Sequence, residues 1–438
     1  MTVRADGANA GLLGELRAAL GADAEVHLLT DPELTEAYGT DWTRRWSSRP
    51  LAVVRPGTVH AVAAVLLACL RHGAPVVTQG GNTGLVGGSV PAAESESVVL
   101  STTRLDSLGE VDSASRQVHV GAGVTLAALQ AHARAAGLVY GVDLAARDTA
   151  TLGGTVATNA GGLRVVRFGD TRAQVTGLEV VTADGGVISR TDGLPKDGAG
   201  YDLTQLFVGS EGTLAVVTKA RVRLHRPDRP GVTCLVGCRS LAEAVSLLPD
   251  SDVRLAEVMT EAGLSLTCQV TGMPHPLTRR WPVYLLMETP YLPDLPEDVD
   301  AAVDDRLVEY RERHPESIAT LGVVHKYDVS VPIDALDDLL SRAAESVAPH
   351  RLFVYGHLAE GNLHLGVAGP APDDEGIDAD VLGLVAEMGG SIASEHGVGR
   401  AKAGLLSLSR SPADIATMRA VKTALDPAGI LNPGVVLA

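Results

Sequence analysis

Two histidines and a Glu-His pair are the residues of this sequence whose types and spacing could do chemistry. His357 and His364 stand on either side of a polar turn that contains Gly361, with β-forming residues before and after it. If Glu360 and Gly361 form a two-residue hairpin turn, the histidines are directly opposite each other, with Cβ atoms roughly 5 Å apart. Both imidazoles could then bind one metal ion.

A carboxylate for the same ion is offered by Glu395, which is followed directly by His396. Two His ligands and one carboxylate leave a coordination position open for substrate, which is the pattern of a catalytic metal site. A single His is more often a hydrogen-bonded core or surface residue, and a Glu-His pair alone is a weak signal. Two histidines in register on one hairpin favour the metal site.

A second feature is a glycine-rich loop that directly follows a β run. Residues 80–88 contain five glycines. Glycine permits positive φ and lets several backbone N–H groups converge on an anion. The loop has neither the closing Lys-Ser/Thr of a P-loop nor the GxGxxG spacing of a nicotinamide dinucleotide site. A surface linker is the alternative, but linkers are usually Ser-rich and not bracketed by strands.

Residues 149–162 form a second stretch of small residues, so the two stretches together predict a site for a dinucleotide. With residues 208–214, they resemble in the same order the FAD-binding domain of the vanillyl-alcohol oxidase type. In that family the first loop wraps the pyrophosphate, and the second lines the isoalloxazine and ribityl region. Some members bind flavin covalently through a His of the first loop, but residues 79–82 contain none, so the resemblance implies non-covalent FAD. The positions it assigns to FAD are Gln79, Gly80, Gly81, Asn82, Thr83, Gly84, Leu85, Gly88, Ser89, Thr151, Gly153, Gly154, Thr158, Asn159, Gly161, Gly162, Glu211, Gly212 and Asn432.

The C-terminal half carries a second resemblance. Residues 355–366 and 394–402 closely resemble the C-terminal domain of FAD-linked D-2-hydroxy-acid dehydrogenases. That family includes D-lactate and D-2-hydroxyglutarate dehydrogenases and the flavin subunit of glycolate oxidase. The resemblance makes His357, His364 and Glu395 the ligands of a divalent metal (Zn, or Mn or Fe), and His396 the catalytic base.

Two cations match the residues of this family that bind the substrate carboxylate, namely Arg311 and Lys326. An Arg fork and a Lys point charge suit a carboxylate, and a chain with a net charge of -17 needs a local basic pocket for an anion. The alternative is a pair of solvated surface cations. Pro315 and Gly366 stand where 2-hydroxyglutarate-type relatives carry Thr and Asn as polar substrate contacts. The sequence therefore leaves the identity of the acid open.

The resemblance implies oxidation of a D-2-hydroxy acid to the 2-oxo acid, with hydride transfer to flavin N5, a metal that polarises the hydroxyl, and His396 as base. The alternatives are a non-catalytic flavin-binding subunit, or a flavoenzyme of other chemistry on the same fold, such as an alkyl ether lipid synthase or an aromatic alcohol oxidase. The four cysteines form neither a CxxC pair nor a run that could hold an iron–sulfur cluster. Electrons would therefore leave through an external acceptor, which could be a quinone, a cytochrome, an electron-transfer flavoprotein or an iron–sulfur subunit.

The elements that must position these residues predict an α+β protein. β-branched runs at residues 52–54, 76–77 and 98–100 flank a helical segment, and the prolines and glycine of residues 225–231 indicate a linker. We predict a two-subdomain FAD-binding domain of the vanillyl-alcohol oxidase type followed by an α+β substrate domain with an antiparallel sheet. The predicted ranges are 1–225 for the FAD-binding domain, 226–390 for the substrate and metal domain, and 391–438 for a C-terminal helical segment that returns to the FAD domain.

The charge of -17 argues against binding to nucleic acid or to an anionic membrane by charge alone. The first 20 residues lack the basic flank and continuous apolar stretch of a secretion signal. The apolar run at residues 61–70 is too short for a bilayer span of roughly 20 residues. We expect a cytoplasmic protein that binds a small-molecule 2-hydroxy acid, associates with a membrane only through a partner, and has a homodimer as one conceivable assembly.

Overall fold

The computed structural model describes residues 6–93, 95–296, 299–371 and 374–438. These residues form two compact units. Unit 1 contains the described part of Met1–Ala160 together with Asp170–Pro227 and His396–Ala438, and unit 2 contains Gly161–Gly169 and Asp228–Glu395. The sequence placed its boundaries near residues 225 and 390, and it did not separate residues 161–169 from the first domain.

The strands of the described residues form two sheets in unit 1 and one sheet in unit 2. In chain order they are β1 Leu28–Leu29, β2 Ala52–Val54, β3 Val76–Gln79, β4 Val98–Ser101, β5 Gln117–Gly121, β6 Val175–Val181, β7 Val187–Arg190, β8 Val216–Arg223, β9 Val232–Cys238, β10 Leu255–Thr260, β11 Val283–Thr289, β12 Ala301–Val303, β13 Val324–Ser330, β14 Arg351–His357 and β15 Asn362–Ala368.

The α-helices alternate with these strands, and short 3-10 turns link several of them. In chain order the helices are α1 Asp6–Leu20, α2 Ala24–His27, α3 Pro32–Gly39, α4 Val59–His72, α5 Leu126–Ala135, α6 Leu152–Thr158, α7 Val165–Phe168, α8 Thr171–Gln174, α9 Leu203–Phe207, α10 Leu241–Ser246, α11 Glu261–Thr271, α12 Val308–Glu312, α13 His314–Ala319, α14 Leu336–Ser346, α15 Glu375–Glu387 and α16 Pro412–Leu425.

Unit 1 contains two four-stranded sheets, in the orders β1-β2-β4-β3 and β5-β8-β6-β7. In the first, β2, β4 and β3 are parallel and completely buried except for one half-buried position. Strands covered on both faces need continuous apolar runs, which is why the β-branched runs in this region predicted them. The second sheet is antiparallel, and it contains a hairpin formed by β6 and β7.

Unit 2 is built on a seven-stranded sheet in the order β12-β9-β11-β10-β14-β15-β13. Every pairing in it is antiparallel, which confirms the predicted antiparallel sheet of the substrate domain. Its apolar core includes Tyr284, Leu235 and Met259, all fully buried. The α+β class is therefore confirmed.

None of the helices in the described residues is long and apolar enough to cross a membrane.

Local sequence explains where the longer helices begin and end. Thr125 caps α5 by accepting a hydrogen bond from the Ala128 N–H at 3.2 Å. Thr58 caps α4 in the same way, and Gly73 ends that helix in the left-handed region with φ of 56°. Within the predicted C-terminal helical segment, residues 391–438, the α-helix α16 covers Pro412–Leu425.

Asp426 fixes the segment that follows α16. Its side chain is fully buried and accepts hydrogen bonds from the backbone N–H of Ile430 (3.1 Å) and Leu431 (2.8 Å), and from Lys422. Leu431 then forms a parallel bridge with Val76 of β3. One carboxylate thus attaches this late segment of the chain to the first sheet of unit 1.

Replacing Asp426 with Ala should lower the free energy of unfolding of the protein by about 3 kcal/mol, because it leaves Lys422 without its buried ion-pair partner. Urea denaturation followed by circular dichroism measures the change. The matched control is Asp414→Ala, which removes the exposed capping box of α16 and should cost about 1 kcal/mol. Equal losses for the two variants would contradict the role of Asp426.

Candidate active site

The glycine loop that is predicted to bind FAD follows the last residue of β3 in unit 1. The backbone N–H groups of residues 80–88 donate no hydrogen bond to any residue that the structure describes. The side chain of Gln79 holds the loop, since its Nε2 donates to Ser89 O (2.7 Å) and Tyr38 O (3.0 Å). A run of unpaired N–H donors in a fixed loop suits the pyrophosphate of a dinucleotide.

Two positions of this loop must be glycine because the second small-residue stretch lies too close for a Cβ atom. A Cβ on Gly80 would lie 2.2 Å from Thr151 Oγ1, and a Cβ on Gly81 would lie 1.9 Å from Thr149 O. Thr151 also caps α6 by accepting a hydrogen bond from the Gly154 N–H. The two stretches are therefore in direct contact, as a shared site for one long cofactor requires.

Asn432 packs against the same loop. Its Nδ2 donates to Gly88 O (2.9 Å) and Glu211 O (2.8 Å), whereas its Oδ1 is buried without a hydrogen-bond partner among the described residues. The Glu211 carboxylate accepts hydrogen bonds from the N–H groups of Val398 and Gly399. Burial raises the pKa of Glu211, although these two N–H groups oppose the shift. A buried unpaired acceptor beside unpaired loop amides fits a polar cofactor such as FAD.

The other predicted FAD positions are divided between the two units. Asn82 and Asn159 have left-handed φ values of 53° and 52°, and their side chains are bonded within unit 1, to Thr40 O and to Asp170. Their contribution to a cofactor site would therefore be made by the backbone. Unit 1 also contains Thr83, Gly84, Leu85, Gly153, Thr158 and Gly212, and unit 2 contains Gly161 and Gly162.

The hairpin of β14 and β15 carries both predicted histidine ligands, but the predicted register is wrong. His357 pairs with Asn362, and His364 pairs with Tyr355, so the two histidines are not directly opposite. The reason is the loop, which consists of a 3-10 turn and one left-handed glycine and is four residues long instead of two. The histidines are diagonal neighbours on one face, with ring centroids 5.3 Å apart.

Glu395 joins the two histidines. Its Oε1 lies 3.3 Å from Nε2 of His357 and 3.3 Å from Nε2 of His364. The backbone N–H of Glu395 donates to Asp328 Oδ2 at 2.7 Å, which fixes this segment beside β13. The next residue is the predicted base His396, and the peptide bond between them is where the chain passes from unit 2 to unit 1. The three predicted metal ligands are therefore brought together.

Each histidine has a carboxylate near its other ring nitrogen, at hydrogen-bond distance for His357 and only at ion-pair distance for His364. Nδ1 of His357 contacts Glu257 of β10, and Nδ1 of His364 lies 3.5 Å from Asp328 Oδ1 of β13. Both acids are at most 1% exposed. Carboxylates in this position orient metal-binding imidazoles and raise their basicity.

The donor set fits a divalent metal ion. Ligand atoms bonded at about 2.1 Å to one ion in a tetrahedral site are about 3.4 Å apart, and both N–O separations here are 3.3 Å. Within unit 2, the ligand atoms that all lie within 4.8 Å of one another are those of Asp328, His364 and Glu395, and this group does not include His357. Two imidazoles and a carboxylate suit Zn²⁺, Mn²⁺ or Fe²⁺.

The surrounding acids decide the charge of His357. Burial opposes the charged imidazolium, but Glu257 and Glu395 outweigh burial and raise the pKa of His357 well above its usual value. Burial likewise opposes the charge of Glu395, yet His357 and His364 hold the pKa of this carboxyl well below its usual range. A metal ion that binds Nε2 of His357 therefore competes with a proton.

Arg311 is buried beside this cluster. Its Nε donates to Glu257 Oε2 at 2.6 Å, and its guanidinium carbon lies 4.6 Å from the centroid of the Tyr355 ring. Its two terminal nitrogens donate to no other described residue. Lys326 shares the sheet face of the histidines, and burial lowers the pKa of its ammonium group. Both predicted carboxylate-binding cations are thus in unit 2, and Arg311 has donors available for an anion.

The two departures from 2-hydroxyglutarate-type relatives have clear structural positions. Pro315 is in the first turn of α13. Gly366 pairs with Lys326 of β13, and a Cβ added to it would meet the apolar side chains of Val324 and Ile318 at 3.5 and 3.6 Å. Neither position offers a polar side chain to a substrate.

Three residues of the site were missed by the sequence analysis, namely Glu257, Asp328 and Tyr355. Glu257 is the only charged residue of the otherwise largely apolar strand β10, and a buried charge needs a partner, so that pattern could have identified it. Asp328 and Tyr355 are brought to the site by pairing with His364, which single-strand patterns do not reveal.

Replacing Gly81 with Ala should weaken FAD binding about 10- to 100-fold, because a methyl group 1.9 Å from Thr149 O forces the two loops apart at a cost of about 1–3 kcal/mol. Flavin absorbance and fluorescence of the purified protein measure the bound fraction. The control is Gly14→Ala on the exposed side of α1, where a Cβ meets no atom within 4 Å. A Gly81 variant with undiminished FAD affinity would contradict the contact between the loops.

Replacing Glu257 with Gln should weaken metal binding about 10- to 100-fold, since it removes the carboxylate that orients His357. Titration with a competing chelator, followed by metal analysis, gives the affinity. Glu243→Gln, which disrupts an exposed ion pair with Arg239, should leave the affinity unchanged. Equal affinities in all three proteins would show that Glu257 has no part in holding a metal ligand.

Comparison with known proteins supports the domain types predicted for both halves of the chain. The family described as FAD binding domain matches residues 50–190, and the family described as FAD linked oxidases, C-terminal domain, matches residues 295–436. The mitochondrial D-2-hydroxyglutarate dehydrogenase of Bos taurus is 36% identical over 451 residues, covering 95% of this chain and 82% of that protein. The D-2-hydroxyglutarate dehydrogenase of Xanthomonas citri pv. viticola is 35% identical over 449 residues, covering 93% and 94%.

A solved structure shows the same fold. The crystal structure of p-cresol methylhydroxylase with substrate bound matches with a TM-score of 0.78 and covers 98% of this chain and 96% of that chain, at 16% sequence identity. At that identity the likeness concerns the fold alone, which is of the vanillyl-alcohol oxidase type. With relatives at 35% and 36% identity over nearly its whole length and both domain families matched, this chain belongs to the FAD-linked D-2-hydroxy-acid dehydrogenase family.

Proposed function

We propose that this chain is an FAD-dependent dehydrogenase that oxidises a D-2-hydroxy acid to the corresponding 2-oxo acid. The observation that carries the proposal is the convergence of His357 Nε2 and His364 Nε2 on one oxygen of Glu395, at 3.3 Å each. The family supports it, because the two relatives described above are named D-2-hydroxyglutarate dehydrogenases. D-2-hydroxyglutarate is therefore the first substrate to test, and D-lactate is the second.

In this proposal, Arg311 and Lys326 bind the carboxylate of the acid. The two terminal nitrogens of Arg311 can donate two parallel hydrogen bonds to a carboxylate, and Lys326 adds a compact positive charge. Glu257 keeps the guanidinium in place by accepting a hydrogen bond from Nε of Arg311. Fixing the carboxylate limits the positions that the C2 hydroxyl and the C2 hydrogen can take, which lowers the entropic part of the barrier.

The C2 hydroxyl is activated next to the histidines. A divalent ion held by His357, His364 and Glu395 would polarise this hydroxyl and lower its pKa. His396 accepts the hydroxyl proton on an imidazole nitrogen as general base. Non-covalently bound FAD would supply the oxidising power, with its N5 as the acceptor for the C2 hydrogen as a hydride. One proton and one hydride account for the two hydrogens that the acid loses.

The proposal includes an external electron acceptor. The four cysteines of the chain are free thiols, and their spacing fits no iron–sulfur cluster. Electrons from the acid therefore pass to a quinone, a cytochrome, an electron-transfer flavoprotein or an iron–sulfur subunit. We propose a cytoplasmic enzyme that contacts a membrane only through such a partner.

Anaerobic mixing of the purified protein with D- and L-2-hydroxy acids should bleach the flavin absorbance with a D-acid. Replacing His396 with Asn should slow the bleaching about 10²- to 10⁴-fold, because a general base contributes a factor of this size. FAD and metal content should be retained. The control variant is His60→Asn, at an exposed position of α4, which should bleach at the rate of the unaltered protein.

Two results would contradict the proposal. A yellow protein that no 2-hydroxy acid bleaches would be a flavin-binding subunit without this catalytic activity. Unchanged bleaching in the His396 variant would be consistent with dehydrogenase activity but would contradict the assignment of His396 as the general base.

A further inference from the structure

A tyrosine of β14 lies within the predicted substrate site of unit 2. Tyr355 pairs with His364, which in turn pairs with Asp328. Residues paired directly across antiparallel strands share a face of the sheet, so the phenol is on the face of the predicted metal ligands. The Tyr355 and His364 rings have centroids 4.9 Å apart. Tyr355 is half-buried, and ligand can therefore reach it.

Two further neighbours hold the ring. The guanidinium carbon of Arg311 lies 4.6 Å from the ring centroid, and the centroid of the His314 ring lies 5.1 Å away. His314 is fully buried, and burial lowers its pKa to about 3. It therefore packs against the phenol as a neutral ring and adds no second charge beside Arg311. Packing fixes the position of the phenol in the absence of any ligand.

The hydroxyl of Tyr355 differs from those of the other buried tyrosines of unit 2. Tyr284 donates to Glu261, Tyr310 donates to Pro274 O, and Tyr327 donates to Asp378. The Tyr355 hydroxyl bonds to none of the residues that the structure describes. Tyrosine hydroxyls in largely buried positions usually find a partner, which makes this one a candidate for binding a ligand.

Two buried carboxylates that share this face, Glu257 and Asp328, bond to other groups. Glu257 contacts Arg311 and His357, and Asp328 accepts from the side chain of Asn362 and the backbone N–H of Glu395. Neither carboxylate is bonded to the phenol in the described structure, so the hydroxyl is available to an acceptor on a bound ligand. Burial raises the pKa of Tyr355 to about 12, so the phenol is un-ionised at neutral pH and can donate.

We infer that the Tyr355 hydroxyl donates a hydrogen bond to the carboxylate of the bound 2-hydroxy acid, beside the guanidinium of Arg311. This inference rests on the proposed function. An ionised carboxylate has about four acceptor positions, so two bonds from Arg311 leave room for the phenol. Tyr355 would then be a substrate-binding residue, in addition to its packing against His364.

The Tyr355→Phe variant tests this because it keeps the ring and removes only the hydroxyl. The rate of anaerobic flavin reduction is measured against the concentration of D-2-hydroxyglutarate and of D-lactate, which gives the dissociation constant and the limiting rate. We expect the dissociation constant to rise about 10- to 100-fold, since a hydrogen bond to a charged group contributes about 1.5–3 kcal/mol. The limiting rate should change much less.

The matched control is Tyr327→Phe, which removes a phenol hydroxyl from the opposite face of the same sheet. It should leave the dissociation constant unchanged. FAD content, metal content and thermal midpoint should be the same in Tyr355→Phe as in the unaltered protein, which separates a lost contact from lost folding.

The outcomes distinguish this inference from the proposed function. An unaltered protein that neither acid reduces would overturn both. If the unaltered protein is reduced and Tyr355→Phe binds the acid equally well, the inference alone is overturned. A fall in the limiting rate with an unchanged dissociation constant would also overturn it, because the hydroxyl would then act on the reacting atoms and not on the carboxylate.

Discussion

A buried carboxylate whose two oxygens have different partners sets the geometry of unit 2. Glu257 is 1% exposed, and a charge in such a position is stable only when it is paired. One oxygen accepts from Arg311, and the other contacts His357. Burial alone would raise the pKa of Glu257, but Arg311 and His357 reverse the shift and lower it. One side chain thus positions both a predicted anion-binding group and a predicted metal ligand.

The antiparallel register extends this pairing across the sheet. Glu257, His357 and Asn362 form one row, and Tyr355, His364 and Asp328 form the next. Side chains alternate between the two faces of a sheet, so a shift of one residue in any of these strands would move its site residue to the opposite face. The same strand pairings therefore stabilise the sheet and place the side chains of the predicted site on one face.

The sequence identified the glycines at which the two loops of unit 1 meet, because glycine has few roles that another residue can fill. Gly80 and Gly81 are needed at contacts of 2.2 and 1.9 Å, and such close approaches leave a visible pattern. The predictions for unit 2 were less complete. The histidines were identified, but their register was wrong, since loop length cannot be read from residue types when a 3-10 turn replaces a tight turn. Asp328 and Tyr355 were missed because only strand pairing brings them to the site.

The interleaving of the two units has a consequence for the order of folding during synthesis. Unit 1 is interrupted by Asp228–Glu395 and is completed only by His396–Ala438. The bridge from Leu431 to Val76 and the contact of Asn432 with Gly88 cannot form until the ribosome has made every residue of unit 2. The glycine loop therefore lacks its last neighbour until unit 2 has been translated, and a nascent chain can hold the cofactor in its final environment only after that point.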